Sequence, residues 1–153
     1  MYIKEFLEEY KDKKIRLFVD MDGVIADYIV GEPHEFDKKR PLYDSLAKLE
    51  EISKMENIEL HILSATRMDV GFDEKNRWLD KFAPFFKKEN RMIISREANG
   101  FEKTAKLKSN YVANLERTDD SVIIIIDDDP SILKEIKKSN EDVVLLKDTV
   151  LVD

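Results

Sequence analysis

A run of five β-branched residues, Val-Ile-Ile-Ile-Ile at positions 122–126, constrains the fold of this chain more than any other feature of the sequence. β-Branched side chains favour extended backbone, and an uninterrupted apolar run is typical of a strand whose two faces are both buried. Such strands occur mainly in parallel sheets that helices cover on both sides. The run therefore predicts an α/β fold with this strand inside a mostly parallel sheet.

Strand-like and helical patterns alternate along the rest of the chain, as they do in α/β proteins. Strands are predicted at residues 15–19, 58–63, 91–94, 122–126 and 143–146, and helices near the N-terminus and at residues 42–52, 72–82, 102–115 and 130–138. A chain of 153 residues has the length of one domain. We therefore predict a single domain, residues 1–153, with a Rossmann-like three-layer sandwich of about five strands and helices on both faces.

The composition limits which cellular compartments and which binding partners are expected for this protein. The net charge of −7 argues against an extensive nucleic-acid surface or an anionic membrane surface. The sequence has no cysteine, which excludes disulfides and thiolate metal sites and is compatible with a reducing compartment. No apolar run approaches the roughly 18 residues that span a bilayer, and residues 1–14 are too charged for a signal peptide. We expect a cytoplasmic protein without a membrane partner.

Carboxylates stand at the ends of two predicted strands. Asp20 and Asp22 come directly after the first strand, and Asp127 and Asp128 come directly after the fourth. Ser64 follows the second strand. Because the carboxyl ends of parallel strands lie along one edge of a sheet, these side chains are expected to share a cleft. Buried carboxylates are costly unless a cation or a reaction requires them, so the cluster indicates a metal ion, a carboxylate nucleophile, or both.

A lysine near the start of the helix after the third strand is expected to complete the cleft. Lys103 is the preferred residue because it lies nearest the predicted helix start, and Lys106 and Lys108 are the alternatives. Carboxylates, a hydroxyl and a lysine together suit phosphoryl transfer. Mg²⁺ prefers oxygen ligands, a carboxylate can attack phosphorus, and a lysine can bind the phosphoryl oxygens.

These motifs resemble those of the haloacid dehalogenase superfamily of phosphatases. Residues 18–24, Phe-Val-Asp-Met-Asp-Gly-Val, are similar to its first motif, hhhDxDGhh. Leu63-Ser64 resembles the second motif, and Ile126-Asp127-Asp128 resembles the fourth. The motifs occur in the family's order and span nearly the whole chain, and the resemblance implies a sheet with strand order 5-4-1-2-3.

The resemblance also implies a role for each matching residue. Asp20 is the expected nucleophile and a Mg²⁺ ligand, and Asp22 is the expected general acid and base, with its backbone carbonyl on the metal. Ser64 is expected to bind the phosphoryl oxygens. Asp128 is the preferred remaining metal ligand, and Asp127 beside it is a second ligand or an orienting group.

The expected substrate is a small phosphorylated molecule in an open cleft. Residues 21–63 leave too little chain for an inserted cap domain, so residues 27–40 are expected to form a short flap that includes His34 and the basic run at 38–40. Ala65 and Arg67, which follow Ser64, are candidate substrate contacts. The Asp-Gly-Val-Ile-Ala-Asp and Ile-Asp-Asp-Asp-Pro segments are similar to a small 5′-nucleotidase-like branch, which favours nucleotide monophosphates. Sugar phosphates and phosphorylated protein or nucleic-acid ends remain alternatives, as does closure of the cleft by a partner or second subunit.

Two other functional classes have paired carboxylates at a strand end. A response-regulator receiver would place its acidic pair, its serine or threonine and its lysine in a different order along the chain. A catalytically silent phospho-ligand-binding module of the same superfamily is disfavoured, because every chemical position can be filled. Three nearby residues have structural interpretations: Asp129 as a helix cap before Pro130, His61 as a strand residue and Trp78 as a core residue.

Overall fold

A five-stranded parallel sheet forms the centre of the computed structural model, which describes residues 2–27 and 35–152. The strands are β1 (Lys14–Val19), β2 (Ile58–Thr66), β3 (Arg91–Ser95), β4 (Ser121–Asp127) and β5 (Val144–Lys147). Every neighbouring pair is parallel. Their order is β3-β2-β1-β4-β5, which is the predicted order read from the opposite edge. The α/β prediction is therefore confirmed.

Helices cover both faces of the sheet. They are α1 (Ile3–Glu8), α2 (Tyr43–Ser53), α3 (Val70–Phe82), α4 (Thr104–Ala113) and α5 (Pro130–Ser139), with short 3₁₀ turns between some elements. The buried apolar side chains of α1, α2 and α3 belong to one cluster, and those of α4 and α5 belong to a second. Within the described ranges, no helix has the length and apolar character needed to cross a membrane.

Alternation along β4 explains the apolar run that predicted this architecture. Ile124 and Ile126 belong to the cluster with α1, α2 and α3, whereas Ile123 and Ile125 belong to the cluster with α4 and α5. Successive side chains of a strand point to opposite faces, so a strand between two helical layers needs apolar residues at every position.

The order of the strands creates a switch point between β1 and β4. From β1 the chain moves outward through α2, β2 and α3 to β3, and then returns to the other side of β1 to form β4 and β5. In open α/β sheets, ligands bind outside the carboxyl ends of the strands where the direction of winding reverses. Both acidic pairs follow the two strands that flank this point.

The flap is described only in part, because residues 28–34, including His34, lie outside the described residues. Its base is paired through the backbone: Asp27 N–H donates to Arg40 C=O over 2.8 Å, and Leu42 N–H donates to Ile25 C=O over 2.8 Å. A 3₁₀ turn at Phe36–Lys38 leads back to this base. The Phe36 ring lies edge-on to Trp78 of α3, with 5.8 Å between centroids, so this part of the flap packs on α3.

Candidate active site

Asp20 and Asp127 lie side by side at the switch point. The last paired residues of β1 and β4 are Val19 and Ile126, and the residue after each of them is an aspartate. Asp20 and Asp127 are therefore adjacent across the two strands. Alternation places both side chains on the α4 face of the sheet. One oxygen of Asp20, one of Asp127 and one of Asp128 all lie within 4.8 Å of one another. The strand register therefore produces a compact group of three carboxylates.

Lys108 of α4 is the lysine that contacts this group. Its Nζ donates to Asp127 Oδ2 over 2.7 Å and lies 3.2 Å from Asp20 Oδ1, and the residue is only 1 % exposed. Burial would lower the pKa of Lys108, but the two carboxylates outweigh burial and raise that pKa above its ordinary value. Lys108 therefore remains a cation between the two aspartates.

The preference for Lys103 as the cleft lysine is wrong. Lys103 is exposed and only precedes α4, which begins at Thr104, and Lys106 is exposed as well. Side chains of a helix tilt toward its N-terminus, so a long side chain one turn inside the helix can reach the strand ends. The signal that favours Lys108 is its spacing: Val112, four residues later, is buried on the same face.

A second buried lysine, Lys75 of α3, was not predicted. Its Nζ donates to Ser64 Oγ over 2.7 Å, to Ala65 C=O over 2.7 Å and to Asp22 Oδ2 over 3.1 Å. The residue is 3 % exposed. Its position could have been recognised, because it lies on the apolar face of α3 three residues before Trp78, where a surface lysine is not expected.

Asp22 is held by two lysines. Besides Lys75, Lys39 of the flap donates from Nζ to Asp22 Oδ1 over 2.5 Å. Burial would raise the pKa of Asp22, but the ammonium groups of Lys75 and Lys39 outweigh burial and hold the pKa below its ordinary value. Lys39, from the basic run at 38–40, is therefore part of the site.

Ser64 is placed by the length of β2. The strand was predicted to end at residue 63 but continues to Thr66, so Ser64 lies within it and is fully buried. Ile62, two residues before Ser64 on the same strand, belongs to the apolar cluster with α1, α2 and α3. Residues two apart on a strand point to the same face, so the Ser64 hydroxyl lies on the α3 face, next to Lys75.

The electrostatics of the three-carboxylate group favour a cation. Burial raises the pKa of Asp20 to about 7, while Lys108 lowers this pKa and Asp127 raises it. Burial and the neighbouring charge of Asp127 raise the pKa of Asp128 to about 6. Clustered carboxylate oxygens are the ligands that Mg²⁺ prefers. The residues present thus fit a divalent metal held by Asp20, Asp128 and Asp127.

Gly23 forms one wall beside Asp128. Its φ is +76°, and a Cβ built there would lie 2.1 Å from Asp128 Oδ2. We expect Gly23→Ala to displace the Asp128 carboxylate. If Mg²⁺ binds the three carboxylates, the variant should lose most of the stabilisation that the metal would confer, measured as the rise in Tm on adding Mg²⁺.

Gly100→Ala is the matched control for that measurement. Gly100 has a φ of +65°, but a Cβ there would meet nothing within 4 Å. Both variants incur the left-handed backbone cost of roughly 1–2 kcal/mol. Only Gly23→Ala is expected to change the response to Mg²⁺, and an equal response in both variants would contradict this role of Gly23.

The remaining predicted residues are placed as follows. Arg67 is exposed at the end of β2, close to Ala65, and both line a cavity beside Asp22. Asp129 caps α5 by accepting from Ser131 N–H over 2.8 Å, as predicted. His61 stacks on Phe18 with 4.5 Å between ring centroids. Trp78 is buried in the main core, also as predicted.

Comparison with known proteins adds information about the fold. No protein-family model matches the chain, and no curated protein matches it. Two solved structures share its fold: a chain in "Structure of the Pnkp1/Rnl/Hen1 RNA repair complex" (TM-score 0.66, 13% identity) and a chain in "Structure of Pnkp1/Rnl/Hen1 complex" (TM-score 0.67, 14% identity). Each match covers 88% of this chain but only 42% and 46% of the other. The chain thus spans less than half the length of these relatives.

Proposed function

We propose that this protein is a magnesium-dependent phosphomonoester hydrolase of the haloacid dehalogenase type. The observation that carries the proposal is the arrangement around Asp20. On the α4 side of the sheet edge stand Asp127 and Lys108, while Ser64 and Lys75 stand on the α3 side. A phosphoryl group at this edge would meet a nucleophile, a metal site and hydrogen-bond donors together.

In the proposed reaction, an Asp20 carboxylate oxygen forms a bond to phosphorus as the bond from phosphorus to the leaving oxygen breaks. Asp22 must carry a proton to act as the acid at this step, although Lys75 and Lys39 favour its ionised form in the free site; in the protonated form it donates that proton to the leaving oxygen. Water then forms a bond to the phosphorus of the acyl phosphate as the bond from phosphorus to the Asp20 oxygen breaks, and the attacking water gives a proton to Asp22. Inorganic phosphate is released, Asp20 is again a carboxylate and Asp22 is again protonated.

The cations of the site offset the charge of the substrate. Lys108 lies 3.2 Å from Asp20 and lines the cavity beside it, so it is placed to attract phosphoryl oxygens, while Lys75 adds a second positive charge next to Asp22. Mg²⁺ bound by Asp20, Asp128 and Asp127 would reduce the repulsion between the anionic nucleophile and the anionic substrate. Lys39 and Lys75 orient Asp22.

The proposed substrate is a small phosphorylated molecule, with nucleotide monophosphates as the leading class and sugar phosphates as the alternative. One structure with a similar fold is a chain of the Pnkp1/Rnl/Hen1 RNA repair complex. A phosphorylated RNA end therefore belongs in the substrate panel.

The test is hydrolysis of p-nitrophenyl phosphate by the purified chain with Mg²⁺ and with a chelator, followed by a panel of phosphorylated metabolites and RNA ends. Release of phosphate that requires Mg²⁺ is expected. Binding of inorganic phosphate without any hydrolysis would instead favour the silent binding module. If the purified chain neither hydrolyses these substrates nor binds phosphate, the proposal is contradicted.

The effect of Mg²⁺ on stability is expected to depend on pH. The folded-state pKa values of Asp20 and Asp128, about 7 and about 6, exceed the ordinary value of 3.8. The folded protein therefore keeps these two protons to a higher pH than the unfolded chain does. The free energy of unfolding falls as the pH rises from the ordinary value through 6 and 7, where the two groups ionise in the folded state. Mg²⁺ binds the ionised carboxylates and should restore it, so the rise in Tm caused by Mg²⁺ should be larger at pH 8 than at pH 5.5. A larger rise at pH 5.5 would contradict the metal site.

A further inference from the structure

Two cavities meet at Asp22. The first, of about 440 Å³, is lined by Asp20, Asp128 and Lys108, and is called here the phosphoryl cavity. The second, of about 470 Å³, lies between the start of α3 and the described part of the flap. Asp22 and Ala65 line both. The second cavity therefore begins where the phosphoryl cavity ends.

This placement assigns the second cavity a role in the reaction, if the proposed function holds. The phosphoryl group must lie against Asp20, and the group that protonates the leaving oxygen must lie within hydrogen-bond reach of that oxygen, where the leaving group joins phosphorus. Asp22 lies between the two cavities. The second cavity is thus the place for the body of the leaving group, and we call it the leaving-group cavity.

One wall of the leaving-group cavity is apolar. Phe36, Met68 and Val70 line it, and Val70 is 62 % exposed. Exposed apolar side chains beside a cavity of this volume are typical of sites for organic ligands rather than for a bare phosphate ion. Phe36 is itself held by Trp78 of α3, so this wall is formed before a ligand binds.

Arg67 supplies a cation at the same cavity. Among the described residues, its guanidinium has no hydrogen-bond or ion-pair partner, while its backbone C=O accepts from Glu97 N–H over 3.0 Å. Asp69, two residues later, donates from its backbone N–H to Glu97 Oε1 over 2.9 Å. The loop is therefore held in place, and the five donors of the arginine remain available to an anion.

We propose that the leaving-group cavity selects phosphomonoesters whose leaving group joins an apolar ring to a second anionic group, which Arg67 binds. The ring of such a leaving group would pack against the apolar side chains of Met68 and Val70, and its second anionic group would contact the guanidinium of Arg67. A phosphorylated nucleoside has this chemistry, whether it is free as a bisphosphate or is the terminal residue of an oligonucleotide.

The test compares adenosine 3′,5′-bisphosphate with adenosine 5′-monophosphate and adenosine 3′-monophosphate, and includes a dinucleotide with a terminal phosphate. We expect kcat/KM for the bisphosphate to exceed that for the better monophosphate by at least about tenfold, since hydrogen bonds between an arginine and an anion are stronger than those between neutral groups. Arg67→Ala should reduce kcat/KM for the bisphosphate about tenfold more than for p-nitrophenyl phosphate, mainly through KM. Arg67→Lys should restore only part of the loss.

Lys87→Ala is the control for loss of one positive charge, because Lys87 is exposed and lines a cavity at the opposite edge of the sheet. It should leave both substrates unaffected. Preference for the dinucleotide over the bisphosphate would identify a nucleic-acid end as the source of the anion. Hydrolysis of p-nitrophenyl phosphate without preference for a second anion, or equal losses on both substrates in Arg67→Ala, overturns this inference alone. Absence of all hydrolysis overturns the proposed function with it.

Discussion

An Asp20→Asn variant is expected to hydrolyse phosphomonoesters at least about 10⁴-fold more slowly than the wild-type chain, and yet to unfold at a higher temperature when no divalent metal is present. The loss of activity follows from the loss of the proposed nucleophile, since deletion of a nucleophile in other enzymes lowers kcat by roughly 10⁴–10⁶-fold. The amide nitrogen and oxygen of asparagine cannot form the acyl phosphate.

The gain in stability has a separate electrostatic cause. Asp20 and Asp127 share the single ammonium of Lys108, and burial raises the pKa of Asp20 to about 7. Above that pH an ionised Asp20 therefore opposes folding, whereas asparagine keeps the shape and removes the charge. Thermal unfolding at pH 8, with and without Mg²⁺, measures this effect.

Asp12→Asn is the matched control, since Asp12 is exposed and carries the same charge. It should change neither activity nor Tm appreciably. The variant at Asp20 should also lose part of its response to Mg²⁺. Activity that persists in Asp20→Asn, or a Tm that falls to the same extent with and without the metal, would contradict the assignment of Asp20 as a buried nucleophile and metal ligand.

A Lys108→Met variant is expected to lose both activity and about 3–5 kcal/mol of stability in the absence of metal. Methionine has a similar length but leaves Asp20 and Asp127 buried without their cation, and removal of one partner from a buried ion pair typically costs this amount. Mg²⁺ should recover part of the stability because it replaces the missing charge, but it should not recover activity.

Lys103→Met separates this effect from the general loss of a lysine. Lys103 is exposed ahead of α4, only five residues away, and its replacement should change stability by no more than about 0.5 kcal/mol. Chemical denaturation of both variants, with and without Mg²⁺, gives the comparison. Equal losses in the two variants would show that the position of Lys108 between the carboxylates is not what matters.

The acidic half of the site could be predicted because a strand has a simple period. Once residues 15–19 and 122–126 are recognised as neighbouring parallel strands, the next residue on each is an aspartate, and both must point to the same face. The hydroxyl of Ser64 follows by the same reasoning, although β2 continues two residues beyond it.

The basic half was harder to predict because it depends on helices. Whether a lysine reaches the sheet edge depends on the helical start, the face and the length of its side chain, and an error of one residue in the helical start rotates the face by about 100°. Proximity to the helix start therefore selected Lys103 instead of Lys108. Lys75 is hard to predict for a related reason: its helix is evident from the sequence, but only the exact helical face shows that this lysine lies among apolar residues.

The two buried lysines come from opposite helical layers, Lys75 from α3 and Lys108 from α4, and their ammonium groups both lie at the carboxyl ends of the strands, on different acidic partners. The geometry of the site therefore depends on how each layer sits on the sheet. A substitution deep in either core can shift a lysine without touching the cleft. Stability and activity should consequently respond differently to mutation. Conservative substitutions in the core beneath α3 or α4 are expected to lower the activity more than they lower the stability of the fold.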